Sequence, residues 1–422
     1  MTVSPSAQEI VQKAQAASRL IALADTAEKN SALNAMASLL ENHTEDIVRE
    51  NERDLQAARE SALQGPLYER LAFDAGKVRG RINALKKIAA LPDPVGQITD
   101  LHKTSNGLLA GRMRVPIGVL LMIYEARPHV TVNAGAFAIK SGNSIICKGG
   151  SEAFHCNRLL GQLWIRALEM AGLPQDAVQV AALTHETVDE LLTGKHAIDL
   201  VIPRGGKELI QKVVERSCIP VIKHFEGVCH VYIDGHADLG KALQIALDSK
   251  LLMPAVCNAA ETLLVDTALQ SYLPMLLKVL KKNGIAVRGC PNVCSVMPEA
   301  VPAGEDDWRA EYLDLVYAVR IVDGIDGAIE HINLYGSGHT DVIVTEHLSR
   351  SRRFIQEVNS AVVLVNASTM FCDGETLGMG GEIGISTDKF HARGPMGLTE
   401  LTSYKHVILG EGQIMGQPYE IR

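Results

Sequence analysis

The chain has 422 residues, a length that predicts two or three domains. Its composition, 47% hydrophobic and 21% charged, suits a large buried core and excludes wholesale disorder. A formal net charge of -8 argues against a dedicated nucleic-acid binder, and no apolar run of about 18 residues is present to span a membrane.

The opening, MTVSPSAQEIVQKAQAASRL, lacks the charged start and apolar block of a secretory signal. From residue 6 to about 62 the pattern is helix after helix, with Ile10, Ala14, Ala17, Leu20, Ile21 and Ala24 at helical spacing. Leu33, Met36, Leu39 and Leu40 continue it on a second helix, and no chemistry is expected there. Leu91-Pro92-Asp93-Pro94 ends the helical region, since proline lacks a donor and restricts its predecessor.

An α/β alternation follows. Val115 to Tyr124 predicts one strand buried on both faces, then a helix over 129–141, a strand Ser144 to Lys148 and a helix over 152–171. Further strands are expected at Val178 to Ala181, Ile198 to Ile202 and Ile219 to Ile222. A second alternation predicts strands at 229–233, 261–265, 285–288, 316–322, 341–344 and 361–365, with helices at 237–250, 270–282, 325–334 and 347–357. Such alternation means parallel sheets with helices on both faces. The tail, 402–422, is expected to pair with a partner's sheet edge.

No G-x-G-x-x-G or G-x-x-x-x-G-K-[ST] occurs, so any nucleotide must be held by another geometry. The eight cysteines are too sparse for a disulfide scaffold and form no C-x-x-C pair. The reading is a reduced, cytoplasmic protein without a metal. Cys147, Cys156 and Cys229 sit in predicted buried elements. Cys257 differs, because Met253-Pro254-Ala255-Val256-Cys257-Asn258-Ala259-Ala260 surrounds its thiol with small residues on a proline-broken loop.

Several segments in order resemble the proline-biosynthesis branch of the aldehyde dehydrogenase superfamily. They are Tyr124-Glu125-Ala126-Arg127-Pro128, Pro203-Arg204-Gly205-Gly206, Gly227-Val228-Cys229-His230-Val231-Tyr232, Cys257-Asn258 with Glu261-Thr262-Leu263-Leu264-Val265, Val365-Asn366-Ala367-Ser368-Thr369, and His391-Ala392-Arg393-Gly394-Pro395-Met396-Gly397-Leu398. The resemblance runs from about residue 6 to the end.

It implies an aldehyde-dehydrogenase-like α/β fold with a cofactor-binding and a catalytic α/β domain plus a small β oligomerisation extension. The expected boundaries are 1–100 and 116–225 for the cofactor domain, with part of 385–401 returning to it, 226–384 for the catalytic domain, and 101–115 with 402–422 for the extension. The implied active site lies in the interdomain cleft, and the implied assembly is a homo-oligomer.

The implied reaction reduces L-glutamyl 5-phosphate with NADPH to glutamate 5-semialdehyde and phosphate. Cys257 would form a thioester, which accepts hydride where a carboxylate resists it. The alternative is NAD(P)-dependent oxidation of another small aldehyde. The Cys257 N–H would stabilise the oxyanion, and Asn258 is the adjacent candidate donor or turn cap. Glu226 falls near the base of oxidising relatives.

For NADPH/NADP the resemblance implies Lys148 at the adenosine ribose and Gly205 and Gly206 near the pyrophosphate. It places Glu311 at the nicotinamide ribose. Ser151 replaces the carboxylate of NAD-preferring relatives, which favours NADPH. Arg127 and Arg393 are expected to hold the substrate's phosphate or α-carboxylate. Arg204 is a further candidate. His230 and His339 are expected to be structural. The substrate is expected by channelling from glutamate 5-kinase, with no nucleic-acid or membrane partner.

Overall fold

The computed structural model describes residues 6–61, 63, 65–194 and 198–416. Residues 1–5, expected in the cofactor-binding part, and 417–422, expected in the extension, lie outside them. Two compact units divide the chain: the first runs to Ile222 and resumes at Gly397, and the second is Lys223–Met396. The expected crossing was at 225/226, with a return between 385 and 401.

The first unit opens with helices Ala7–Ile21, Thr26–Asn42 and Thr44–Glu60, followed by Ala75–Ala90. Ser6 with Glu9 and Asp25 with Glu28 form reciprocal capping boxes that satisfy the first orphan N–H groups. Ile10, Val11, Ala14, Ala17 and Ile21 bury one face of the first helix, as their spacing predicts.

Strands β1 (Ile98–Lys103) and β2 (Leu109–Pro116) pair antiparallel. β2 also pairs along its length with β16 (Thr402–Leu409), which makes a three-stranded sheet of order β1-β2-β16. The parallel sheet of this unit holds β3 (Val119–Tyr124), β4 (Ser144–Lys148), β5 (Val178–Val180) and β6 (Leu200–Arg204), in the order β5-β4-β3-β6. All residues of β3 are buried.

Two strand expectations are corrected. The run Val115 to Tyr124 is not one strand but the end of β2 and all of β3. Pro116 supplies no donor and Gly118 turns the chain at φ 135°, where an added Cβ would meet the Asp199 carboxylate at 2.1 Å. Ile219 to Ile222 makes only a single bridge, Val201 to Val221, because Pro220 breaks the ladder.

Register puts Tyr124 of β3 opposite Arg204 of β6, so the strand ends that carry Glu125, Arg127, Lys148 and Gly205 share one edge of the sheet. Helix Pro128–Lys140 leaves β3 and packs closely on helix Phe154–Met170. A Cβ on Gly135 would meet the Trp164 ring at 2.5 Å, and the indole N–H donates to the Thr131 carbonyl at 3.2 Å.

The second unit is built on a seven-stranded parallel sheet. Its strands are β7 (Cys229–Ile233), β8 (Ala260–Asp266), β9 (Ala286–Gly289), β10 (Val301–Pro302), β11 (Val316–Val322), β12 (Thr340–Val344) and β13 (Val362–Val365). Their order is β10-β9-β11-β8-β7-β12-β13, with β7 and β8 near the centre. A separate hairpin-like pair, β14 (Gly384–Ser386) and β15 (Gly394–Met396), lies antiparallel. Leu263, Val265, Val231, Ile233, Leu276 and Leu280 are among the side chains that fill the core around the sheet. No helix among the described residues is long and apolar enough to cross a membrane.

Candidate active site

Helix Leu239–Leu251 ends just before Met253-Pro254, and β8 begins at Ala260. The segment between them carries Cys257 on turns rather than on regular structure. Both ends of it are pinned by one pair: Lys250 Nζ donates to Glu261 Oε2 at 2.6 Å, with both side chains fully buried. Burial pushes the Glu261 carboxyl up to about 7, against the pull of Lys250, and pushes Lys250 down. The Leu313 N–H also donates to Glu261 at 3.3 Å.

Of the eight thiols, Cys147, Cys156, Cys229, Cys290 and Cys372 are buried, Cys257 and Cys294 are half-buried, and Cys218 is exposed. Burial drives Cys147 and Cys372 up to about 12 and raises Cys156 and Cys229 further, so these thiols stay protonated and inert.

Gly227 packs directly on the Cys257 loop. A Cβ there would come within 1.8 Å of the Cys257 carbonyl oxygen, so only glycine fits. The Gly227 N–H donates to Glu311 Oε1 at 2.9 Å, and the next N–H, of Val228, donates to Ser337 Oγ at 2.9 Å. Cys229 Sγ lies 3.3 Å from the Cys257 carbonyl oxygen. Glu311 follows the 3-10 turn Glu305–Arg309 and sits close enough to Glu261 to raise it. Glu226, one residue before Gly227, is half-buried.

Asn258 is 7% exposed, and its amide nitrogen reaches the carbonyls of Thr369 (3.2 Å), Met370 (3.5 Å) and Cys372 (3.2 Å). The side chain therefore ties the Cys257 loop to the 3-10 turn Thr369–Phe371. Its donor is committed in this geometry.

Two histidines reach the thiol that sequence reasoning did not put there. One ligand atom each of His224, Cys257 and His339 lies within 4.8 Å of the other two. The structural expectation for His339 omits this proximity; a lone histidine before β12 carries no signal of it. His230 is in contrast a buried strand residue whose Nδ1 pairs with Asp341 at 2.7 Å.

Arg393 donates to the Asn359 carbonyl at 2.7 Å and to its side-chain oxygen at 3.2 Å. Together with Lys389, Thr387, Ser337 and Ser360 it lines a polar cavity of about 440 Å³. Ser337-Gly338, which line it, immediately precede His339, so the cavity and one imidazole near the thiol share one segment of chain.

In the first unit Lys148 ends β4 and is half-buried. Gly206 caps helix Lys207–Arg216, and its N–H donates to Glu125 Oε2 at 2.8 Å. A Cβ on Gly205 would come 2.5 Å from the same carboxylate. Arg127 stands at the start of helix Pro128–Lys140. His129 is pushed down to about 3, first by burial and then by Arg81, Arg127, Arg204 and Lys77, so these cations share one neighbourhood. Glu152, beside Ser151, accepts the Ala126 N–H, which fixes the loop after β3.

A family model described as aldehyde dehydrogenase family matches residues 3–283. The chain belongs to the aldehyde dehydrogenase family. It is 47% identical over 416 residues to gamma-glutamyl phosphate reductase of Desulfatibacillum aliphaticivorans, covering 98% of this chain and all of that protein. The corresponding protein of Geobacter metallireducens is 46% identical, with 98% of this chain and 100% of the relative covered. The crystal structure of gamma-glutamyl phosphate reductase from Thermotoga maritima matches with a TM-score of 0.95 at 40% identity, over 98% of this chain and 100% of that one. The fold is thus the aldehyde-dehydrogenase-like α/β fold expected from the six motif segments. Members of this family are oxidoreductases that use nicotinamide cofactors.

Proposed function

We propose that this chain reduces L-glutamyl 5-phosphate to L-glutamate 5-semialdehyde and phosphate with NADPH, the second step of proline biosynthesis from glutamate. The observation that carries the reading is the half-buried Cys257, held by Gly227 and Asn258 and flanked by two imidazoles, in a chain alike end to end to the gamma-glutamyl phosphate reductases.

Cys257 loses its proton to an imidazole lone pair of His224 or His339 and attacks the acyl phosphate carbon. The tetrahedral oxyanion is held by the Cys257 N–H and collapses with loss of phosphate, leaving a glutamyl thioester. A nicotinamide held here would supply hydride to that thioester, and Cys257 would then release the aldehyde and regain its thiol.

The residues present fit a dinucleotide. Lys148 offers an ammonium at a strand end, and Gly205-Gly206 leave a side-chain-free approach to a helix start among Arg127, Arg204 and Arg81. A pyrophosphate bound at this helix start would have to displace the Glu125 carboxylate from the Gly206 N–H. Ser151 in place of a carboxylate spares a 2′-phosphate from repulsion, which supports NADPH over NADH. Glu311 orients the nicotinamide ribose while it holds Gly227. Arg393 with Lys389 receives the α-carboxylate in the polar cavity.

The protein works in the cytoplasm, receives its labile acyl phosphate by channelling from glutamate 5-kinase, and is a homo-oligomer. Supporting the last point, the β1-β2-β16 sheet has two open edges and exposes Ile98, Leu101, Tyr404, Ile408 and Leu409.

The test runs the reaction backwards. Glutamate 5-semialdehyde and NADP should give NADPH only when phosphate is present, and Cys257→Ser should abolish it. A phosphate-independent rate would favour the alternative, oxidation of another aldehyde. Turnover surviving in the serine variant would remove Cys257 from the chemistry.

A further inference from the structure

The donors at the nucleophile are a thiol and two imidazoles, and their ligand atoms lie within 4.8 Å of one another. A tetrahedral zinc ion with bonds of about 2.0–2.3 Å sets its ligands roughly 3.3–3.6 Å apart. Side-chain movements of about an ångström close that gap, and Cys257 and His224 are both only half-buried.

The surroundings of the rings prepare them as ligands. His339 Nδ1 lies 2.8 Å from Thr340 Oγ1, and that hydroxyl donates to Cys372 Sγ at 2.9 Å. The hydroxyl proton being spent on sulfur, its lone pair accepts the Nδ1 proton of His339. His224 Nδ1 lies 3.3 Å from the Ile385 carbonyl, which only accepts. Both rings are thereby fixed with the proton on Nδ1 and the lone pair on Nε2, the arrangement that outer hydrogen bonds impose on metal-binding histidines. The two rings meet edge to face at 5.6 Å, and one ligand atom of each lies within 4.8 Å of the other and of the thiol. His339, 1% exposed, is held rigidly for it.

We propose that His224 Nε2, Cys257 Sγ and His339 Nε2 bind a Zn2+ ion, with water in the fourth position. A sulfur and two imidazoles suit zinc and not magnesium or calcium, which take oxygen ligands. Binding forms a Zn–S bond and releases the thiol proton to solvent, and no electron moves. The metal is a reversible mask on the nucleophile: while it is bound, the sulfur lone pair that attacks the acyl phosphate is occupied. The masking rests on the reductase reading; the binding itself does not.

Reduced, metal-free protein is titrated with Zn2+ against a chromophoric chelator, and Co2+ is used as the spectroscopic substitute. The expected result is one tight zinc per chain, and cobalt spectra with a thiolate charge-transfer band and tetrahedral d–d bands. Cys257→Ser should lose that charge-transfer band, and His224→Gln should weaken zinc binding on the order of 100-fold. Zinc should inhibit turnover of the unmodified enzyme, with recovery on chelation. Equal zinc affinity in all three proteins, no binding at micromolar zinc, or an octahedral cobalt spectrum would each overturn the proposal. Because binding is read without turnover, these outcomes leave the reductase assignment standing. Zinc binding without phosphate-dependent activity would instead remove the reductase and keep the site.

Discussion

Lys250 and Glu261 stand eleven positions apart in sequence and meet at 2.6 Å with no solvent access to either side chain. The contact staples the end of one helix to the start of β8 and makes a closed loop of everything between, including Cys257. Lys250 also lies 5.4 Å from the Tyr317 ring centroid. Replacing one partner strands the other in the core. Lys250→Met is expected to cost about 3–5 kcal/mol at neutral pH in urea unfolding. Lys250→Met with Glu261→Leu should recover most of that loss. A single Lys250→Met variant as stable as the parent would show that the staple carries no weight.

The same pair predicts a pH dependence. Glu261 ordinarily titrates near 4.5 and in the fold is raised to about 7. A raised carboxyl favours the folded state while protonated. Its contribution is full below about 4.5 and is lost as pH climbs through about 7. Unfolding free energy should therefore fall across that window. Glu261→Gln should flatten the slope when denaturant curves are collected at a series of pH values.

Gly227→Ala forces a methyl to within 1.8 Å of the Cys257 carbonyl oxygen. The Cys257 loop must yield, because the atom in the way is backbone. A displacement of about 1 Å costs on the order of 100-fold in kcat. Circular dichroism and NADPH binding should be retained. Normal turnover would mean that the loop has slack which this packing does not show.

Glu125 now occupies the Gly206 N–H at 2.8 Å. Glu125→Gln removes a negative charge from a helix start that is proposed to receive pyrophosphate. NADPH affinity, measured by fluorescence quenching, should improve roughly two- to fivefold. Weaker binding would give the carboxylate a direct part in holding the cofactor.

Asn258 offers a way to tell a tether from an oxyanion donor. Asn258→Ala removes three amide contacts and should cost about 1–3 kcal/mol of stability along with activity. Asn258→Asp should be worse, since a carboxylate would face three carbonyl oxygens. If both variants keep full stability and lose only kcat, the side chain acts on the reacting carbonyl instead.

Much of this was legible in the residues. The strands β4 and β7 fall where mostly apolar runs place them, because a strand buried on both faces has no room for polar alternation. Cys257 stood out through Pro254 and its small neighbours, and it is half-buried on a turn segment while five other thiols are buried. The short pieces were not legible: helix Pro291–Val296 and strands β14 and β15 hold too few residues to show a period. His224 and His339 were missed for a different reason. They come from segments far from Cys257 in sequence, and only the folded second unit brings them to the thiol. Likewise nothing in Glu125 announced that it would reach across to Gly206, because that contact depends on β3 and β6 being neighbours.

The chain leaves the first unit after Ile222 and returns at Gly397, so the second unit is an insertion with both of its ends in the same host. Those ends are also fastened to each other: Lys223 pairs with Asp388 at 2.8 Å, and the Thr387 N–H donates to the Lys223 carbonyl at 3.2 Å. A protease that nicks one junction leaves the other peptide bridge intact, and release of the inserted piece takes two cuts. Pulled from the outside, the two strands of the bridge would share the load, and Cys257 sits on the inserted side, which no single cut at a junction can detach.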